Sequence, residues 1–400
     1  MPEDKMIFTA IDVGTTKVCT VVGQKNADGV IRVISHSNVP CKGLIKGNVS
    51  NLEETTRAVR ESVRLVEDET GYKLGSVYVG VTGAHLSFEN RRDDLDSSAV
   101  DGVIVPEDLA PSARILARSN SDPDREVIQS LRMSYVVDGE DGIRNPVGMH
   151  SNDIQAETHV VTGEVVFLEK LVGAVESAGV KVKNLILEPL ASGLAVLSTA
   201  EREKGAALVD IGGGTTDIVA FKNGKICYTG VIPIGGFQFT NDIAMTFNTS
   251  YQLAEKSKIR YGSTELHPLD GNKDVSLEVD DEGRALKVKA SDINQIIRER
   301  AFELARLVQI KLTDSGLEQA VTNNIVLTGG ASNLRGLVEF LRRTLSLEVR
   351  KGDPKELLGL PEELKDGMYA TSAGMLLWAA DEDPAAEGRG EISQNKNLIE

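Results

Sequence analysis

The sequence has little of what usually marks a protein's class at sight. Its 400 residues hold three cysteines, Cys19, Cys41 and Cys227. They are odd in number and far apart, so they form neither a disulfide framework nor a metal-ligand pattern, and a reducing cytosol is the expected compartment. Cys19 follows a β-branched run and is expected to lie buried in a strand. No stretch nears the roughly 18 consecutive apolar residues that read as a membrane span. Residues 1–5 are polar and lack the apolar core of a secretion signal. Positive charge is scarce, with 44 Lys and Arg against 60 Asp and Glu, a net charge of −16. That balance excludes general nucleic-acid affinity, which needs basic surface to neutralise phosphates. It also opposes electrostatic attachment to anionic lipid. The Gly-Lys-Ser/Thr of a Walker A loop occurs nowhere.

The chain is rich in glycine, with 38 against 12 prolines, which directs attention to tight turns. Hydrophobic residues make up 41% and charged residues 26%, as in ordinary globular proteins. The length implies two to four domains with enough chain to bury a large core, at roughly 100–200 residues per domain.

Residues 6–23 read as two apolar strands joined at Asp12, Gly14, Thr15 and Thr16. A strand follows at 30–37. A helix is expected at 51–67, capped by Asn51 with Glu54 three residues on, and Val59, Val63 and Val66 mark its apolar face. Residues 76–81 alternate as a strand. Residues 84–162 are richer in Asp, Ser and Arg and read as an inserted α+β module, with a helix expected at 106–119 and strands at 133–137 and 158–162. The alternating pattern then resumes, with a helix at 164–178, a strand at 182–187 and one helix at 189–200. The strand 206–211 enters a second glycine turn, and 218–221 continues as a strand. Helices are expected at 240–247, 252–261 and from 291, after an acidic β-like stretch at 275–289. A strand at 324–327, a helix at 334–345 and an apolar helix at 370–380 complete the pattern. Residues 381–400 are polar and read as a disordered acidic tail.

Two of these turns are copies of one another. Asp12-Val13-Gly14-Thr15-Thr16-Lys17 and Asp210-Ile211-Gly212-Gly213-Gly214-Thr215-Thr216-Asp217 both place Asp-x-Gly and a threonine pair after an apolar strand. The copies lie about 200 residues apart, which points to two related halves. Either turn alone reads as an ordinary polar hairpin. Two of them facing each other can grip a polyphosphate from both sides, with glycines letting backbone N–H groups approach the anion. Gly213 is expected to need a left-handed backbone there. Asp12, Asp210 and Asp217 would hold Mg²⁺, mainly through water, as suits an ion reluctant to shed its hydration shell. A third turn, Thr328-Gly329-Gly330-Ala331-Ser332, has room for a nucleotide base or ribose to pass close by.

In this order the three turns resemble the two phosphate motifs and the adenosine motif of the actin, DnaK-type chaperone and sugar kinase superfamily. That resemblance implies an α/β fold: an actin-like, duplicated two-lobe ATPase that binds ATP with Mg²⁺. Leu187-Glu188-Pro189-Leu190-Ala191-Ser192 resembles the superfamily's first connecting helix, which implies that Glu188 positions the attacking water. The plain alternative is an acid complementing a helix N-terminus. Glu255 and Lys258 fall where the superfamily touches ribose and adenine. Gly235 and Gly236 resemble the glycines near the terminal phosphate.

Within the superfamily the chain resembles the FtsA family of bacterial cell-division proteins, over about residues 7–380. The resemblance rests on the segment Gly43-Leu44-Ile45-Lys46-Gly47, on residues 78–85, and above all on the Asp138-Gly139 to Asn145-Pro146-Val147-Gly148-Met149 stretch, which is similar to the family's subdomain 1C, the replacement for actin's 1B. It implies domain 1A at 1–83 and 163–202, 1C at 84–162, domain 2A at 203–225 and 301–380, and subdomain 2B at 226–300. It further implies a filament-forming scaffold that self-associates through 1C and 2B, links the ring of the tubulin-like FtsZ to the inner face of the cytoplasmic membrane at the division site, recruits other division proteins, and hydrolyses ATP weakly at most. The acidic C-terminal peptide of FtsZ is expected on 2B, where Arg298 and Arg300 lie off the apolar face of the helix from 291 and Lys287 and Lys289 precede it. The family's basic, membrane-binding end helix has no counterpart in 381–400, which carries six acids and two bases. Either the chain stops before that helix or it attaches otherwise, and membrane contact follows from the resemblance alone. The alternatives are a PilM-like pilus-assembly platform and a small-molecule phosphotransferase of the sugar kinase type, for which no catalytic Asp or sugar loop can be assigned.

Overall fold

The computed structural model describes residues 6–26, 29–95, 102–109, 122–151, 153–265, 274–277, 286–317, 321, 323–355, 357 and 359–381. Two five-stranded sheets dominate it. The first is made of β1 (Met6–Val13), β2 (Lys17–Lys25), β3 (Ile31–Pro40), β6 (Ser76–Val81) and β11 (Lys181–Leu187), in the order β11-β6-β1-β2-β3. The second is made of β12 (Ala206–Ile211), β13 (Thr216–Lys222), β14 (Lys225–Ile232), β17 (Asn324–Thr328) and β18 (Glu348–Lys351), in the order β14-β13-β12-β17-β18. Each sheet starts with three antiparallel strands, adds its fourth parallel to the first, and places the fifth outside the fourth. The duplication read from the two turns is therefore a duplication of topology. The central strand β12 is buried along its whole length, so its run of apolar residues needs no alternation.

Helix α1 (Leu52–Thr70) packs on β2 and β3 and on α2 (Val165–Glu176). Its start is fixed as the sequence implied, with Asn51 Oδ1 accepting from the Glu54 N–H at 3.0 Å, and Gly71 ends it in a left-handed conformation. The tiny hairpin of β4 (Leu44–Ile45) and β5 (Asn48–Val49) precedes α1. Its two turn residues, Lys46 and Gly47, both have positive φ, the signature of a tight two-residue hairpin.

Two short helices cross behind the sheets. Helix α3 (Glu188–Val196) follows β11, and α9 (Ala370–Asp381) closes the second half and packs across β1, β2 and β6. The single helix expected at 189–200 is two. The chain is extended at Leu197, and Ser198 starts α4 (Thr199–Lys204) with a full capping box to Glu201. A hydroxyl that satisfies new N–H groups wins over helix continuation.

The insert forms its own antiparallel sheet of β7 (Leu86–Asp94), β8 (Arg125–Val137), β9 (Glu140–Ile143) and β10 (Ile154–Glu164), ordered β7-β10-β8-β9. Leu95, Ile104, Val137, Ile154 and Ala156 make a small separate core. Where a helix was expected at 106–119, only a 3₁₀ turn at Pro106–Leu109 is seen, and the rest lies outside the described residues. In the second half, α5 (Gly236–Thr246), α6 (Tyr251–Tyr261), the strand pair β15 (Asp274–Leu277) and β16 (Leu286–Lys289), and α7 (Ala290–Asp314) follow β14, and α8 (Leu337–Leu345) follows β17. The tail at 382–400 lies outside the described residues. Among the described residues no helix is long and apolar enough to cross a membrane.

Candidate functional site

The two copied turns face each other across a cleft of about 700 Å³, part of it open to solvent. Their backbones close in the same way: the Gly14 N–H donates to Lys17 O at 2.9 Å, and the Gly212 N–H donates to Thr215 O at 2.9 Å. The turns touch. A β-carbon on Gly213 would lie 2.8 Å from Thr16 Cγ2, and one on Gly214 would lie 2.5 Å from Thr15 Oγ1 and 3.2 Å from Lys46 N. Gly213 is not among the positive-φ residues. The expectation of a left-handed backbone is thus corrected: glycine is required there by the neighbouring lobe, not by its own dihedrals. Gly329 does need one, with φ of 84°, and its β-carbon would meet Ile211 O at 2.5 Å.

Register sets the carboxylates. Asp12 pairs with Cys19 across its hairpin, and Asp210 pairs with Asp217 across the other. Where the first copy keeps a buried thiol, the second adds an acid. Hydroxyls from the crossing helices hold these acids. Ser372 on α9 donates to Asp12 Oδ2 at 3.0 Å, and Ser192 on α3 donates to Asp210 Oδ2 at 2.6 Å. Thr82, just after β6, donates to Asp217 Oδ1 at 2.9 Å and so bridges the two halves.

Glu188 joins Asp12, Asp210 and Asp217 in the cleft lining. Burial, reinforced by like charges, pushes Glu188 well above the usual carboxylate range. Burial raises Asp12 against the pull of Lys17. Burial lifts Asp210 to about 6, and burial with the nearby Asp210 lifts Asp217 to about 8. Desolvation lowers Lys17, whose ammonium donates to Met368 O at 2.8 Å and sits 3.3 Å from the centre of the Tyr369 ring. Three buried acids and the half-buried Glu188 against one engaged lysine make a floor that favours a cation. Among the described residues no three His, Cys, Asp or Glu side chains converge to chelate a metal directly.

Of the residues singled out in the sequence, Asp12, Gly14, Thr15, Thr16, Lys17, Glu188, Asp210, Gly212, Gly213, Gly214, Thr215, Asp217, Gly329 and Gly330 line this cleft. Thr216 does not; it is buried in β13 and donates to Ile234 O at 2.7 Å. Gly235 and Gly236 buttress the second turn from behind, the Gly236 N–H donating to Gly212 O at 2.8 Å. Lys258 forms a neighbouring cluster, with Nζ 2.8 Å from Glu255, 2.9 Å from Thr240 Oγ1 and 3.2 Å from Gly236 O. Ala331 approaches Gly236, while Ser332 is buried and donates back to Gly329 O at 2.6 Å. Gly47, Thr82, Gly367, Met368 and Thr371 also line the cleft and were not singled out. Gly47 and Thr82 sit in segments noted only for family resemblance, Thr371 opens the helix expected at 370–380, and Gly367 and Met368 come from a segment with no signal of its own.

Arg298 and Arg300 are already engaged. Arg298 donates to Thr264 O at 2.6 Å and lies over the Phe340 ring, and Arg300 pairs twice with Asp242 and again with Glu303. Lys287 and Lys289 are exposed on β16.

Comparison with known proteins follows the same lines. A family model described as "Cell division protein FtsA" matches residues 207–374, and one described as "SHS2 domain inserted in FTSA" matches 83–162. The chain is 35% identical to the cell division protein FtsA of Pseudomonas aeruginosa, over 94% of this chain and 89% of that one. It is 32% identical to that of Escherichia coli, over 93% and 90%. Among solved structures it resembles the PilM–PilN type IV pilus biogenesis complex, with a TM-score of 0.66 at 17% identity, over 93% of this chain and 98% of that one. It also resembles MreB5 of Spiroplasma citri bound to ADP, with a TM-score of 0.56 at 14% identity, over 96% and 98%. These structural likenesses reach the fold alone, which is actin-like and two-lobed.

Proposed function

Because the chain belongs to the FtsA family of cell division proteins, we propose that it binds ATP with Mg²⁺ in the cleft between its two copied turns and acts as a nucleotide-controlled scaffold at the division site. Its place in the family makes it an actin-like cell-division scaffold; nucleotide, partners and location are the proposal. One observation carries the nucleotide reading: two equivalent Asp-x-Gly turns face each other across one cleft, over a floor of buried acids. Turn N–H groups and the hydroxyls of Thr15, Thr16 and Thr215 would meet the phosphates. Asp12, Asp210 and Asp217 would hold Mg²⁺ through its waters, and the ion would offset phosphate charge. The Lys258–Glu255 cluster and the Gly329-Gly330-Ala331-Ser332 turn would meet the ribose and base. MreB5 was solved with ADP and, separately, with AMPPNP, which supports the reading by analogy of fold.

Glu188 would orient the attacking water from the first turn of α3. Among the described residues no histidine lines the cleft beside it, so hydrolysis should be slow, below roughly 1 s⁻¹, the low end of ordinary enzyme turnover. Glu188→Ala should cut that rate about a hundredfold or more, as for loss of a general base, with ATP affinity nearly unchanged. A steady-state phosphate-release assay beside an ATP titration reads both. An unchanged rate would remove Glu188 from the role.

The scaffold would self-associate through the insert and the subdomain built on α5–α7, and would sit on the cytoplasmic face of the membrane. The acidic C-terminal peptide of FtsZ would dock near β16 and the start of α7. Since Arg300 is neutralised by Asp242 and Glu303, the charge for such a peptide would come from Lys287 and Lys289, which are exposed on β16. Lys287→Glu/Lys289→Glu should weaken binding of that peptide roughly tenfold at low salt and flatten its salt dependence. Equal affinity in the folded variant would place the peptide elsewhere.

A further inference from the structure

A short segment of the second half, just before α9, is held from both sides of the cleft. Gly367–Tyr369 form one 3₁₀ turn. On the side of the third glycine turn, Gly367 O accepts from the Gly329 N–H at 3.1 Å. Asn333 Nδ2 donates to Asp366 Oδ1 and Oδ2 at 2.9 and 3.0 Å, and Asp366 Oδ1 accepts from the Met368 N–H at 2.8 Å. The Gly367 N–H donates to Asp353 Oδ1 at 3.0 Å. On the side of the first half, Asn38 on the edge strand β3 donates from Nδ2 to the Tyr369 hydroxyl at 2.7 Å. The Tyr369 ring is buried, so its face stands in a fixed place.

Lys17 rests on this segment. Its ammonium lies 3.3 Å from the centre of the Tyr369 ring and donates to Met368 O at 2.8 Å, across 351 positions of chain. The same residue closes the first phosphate turn and lines the cleft with Asp12 and Asp210. Burial lowers its pKa, and Asp12 foremost, with Asp366 and Asp210, pulls it back. The charge therefore stands among the acids of the floor. An ammonium carries three N–H groups. The carbonyl takes one, and the ring face attracts the charge without supplying a lone pair, which leaves an N–H for an anion. A lysine side chain loses much rotamer freedom when a ligand immobilises it. Here the ring and the carbonyl have already immobilised it, which is preorganisation in the ordinary sense.

We propose that Tyr369 is a positioning residue for the phosphate site: its ring, together with Met368 O, seats the Lys17 ammonium at the cleft wall, so that a bound nucleotide meets a fixed cation. This rests on the nucleotide reading above. Because the seat also hangs on Gly329 and Asn333, one segment serves the phosphate end and the adenosine end of the site.

The test is equilibrium titration of the full chain with Mg·ATP, on the parent, Tyr369→Leu, Tyr369→Phe, Lys17→Ala and the double variant Tyr369→Leu/Lys17→Ala. Tyr369→Leu removes the ring face and should bind roughly three- to tenfold more weakly. Tyr369→Phe keeps the ring face, drops the bond to Asn38, and should bind within about twofold of the parent. Lys17→Ala should lose at least as much as Tyr369→Leu, and adding Tyr369→Leu to it should change nothing more, because the ring acts only through the lysine. A merely structural tyrosine would weaken binding in both backgrounds. If Tyr369→Leu or Lys17→Ala binds as tightly as the parent, if the two losses add, or if Tyr369→Phe falls as far as Tyr369→Leu, the seat is wrong while the nucleotide site stands. If the parent binds no Mg·ATP, the nucleotide reading fails and the seat with it. Should Tyr369→Leu fail to fold, the parent decides by nuclear magnetic resonance with isotope-labelled lysine. The Lys17 ε-methylene protons, assigned by their loss in Lys17→Arg, should lie upfield of the other lysines under the shielding ring and stay there as Mg·ATP saturates the site. A Lys17 signal that joins the other lysines on binding would overturn the seat.

Discussion

Gly374→Ala is expected to be the most destabilising glycine-to-alanine change among the described residues, costing about 3 kcal/mol or more. Gly374 sits on α9 where it crosses α3, and a β-carbon there would fall inside contact distance of the Ala191 carbonyl, close to Ala191 C and Cα. All three are backbone atoms of a helix, so no rotamer change can relieve the clash, and the helices must move apart. That crossing also carries the hydroxyls of Ser192, Thr371 and Ser372 to the buried acids. Separation would strand Asp12 and Asp210 without their donors. Chemical denaturation of the variant should show a lower midpoint, with the loss concentrated in the transition that melts the large core shared by the first sheet and α9. A midpoint within error of the parent would mean that the helices do not cross as described.

The copied turns were legible because they repeat a short pattern after a strand of fixed character. A strand ending in Asp-x-Gly and two threonines can do little else than turn, and a second copy 200 residues on removes the ordinary-hairpin explanation. What the sequence hides is what comes from elsewhere in space. Thr82 and Met368 reach the cleft from segments whose local pattern says only strand end and polar turn. Gly213 looked like a dihedral requirement and is a packing requirement, because its partner Thr16 belongs to the other half. Arg300 lay off the apolar face of its helix, as its spacing implied, but its neutralising partner Asp242 is 58 residues away. The break between α3 and α4 carried a readable signal. Ser198 and Glu201 have capping-box spacing, and the longer apolar periodicity masked it. The insert was legible as a change in composition, whereas its grip on β14 depends on pairings between Asn90, His159, Cys227 and Thr229 that no local pattern encodes.

The central claim is that the space between the two turns is a polyphosphate site, and Gly213→Val bears on it most directly. The valine side chain would occupy the gap against Thr16, 2.8 Å from its first carbon, while Gly213 itself lies on a partly exposed turn whose backbone φ a valine can adopt. The fold should survive once the Thr16 side chain shifts to admit the valine, and the site should not. Equilibrium titration with Mg·ATP, on parent and variant shown to unfold at the same denaturant midpoint, should give saturable binding for the parent and at least about a hundredfold weaker binding for the variant, on the order of 3 kcal/mol. Equal affinity in the two proteins would contradict the account and place the nucleotide outside the paired turns.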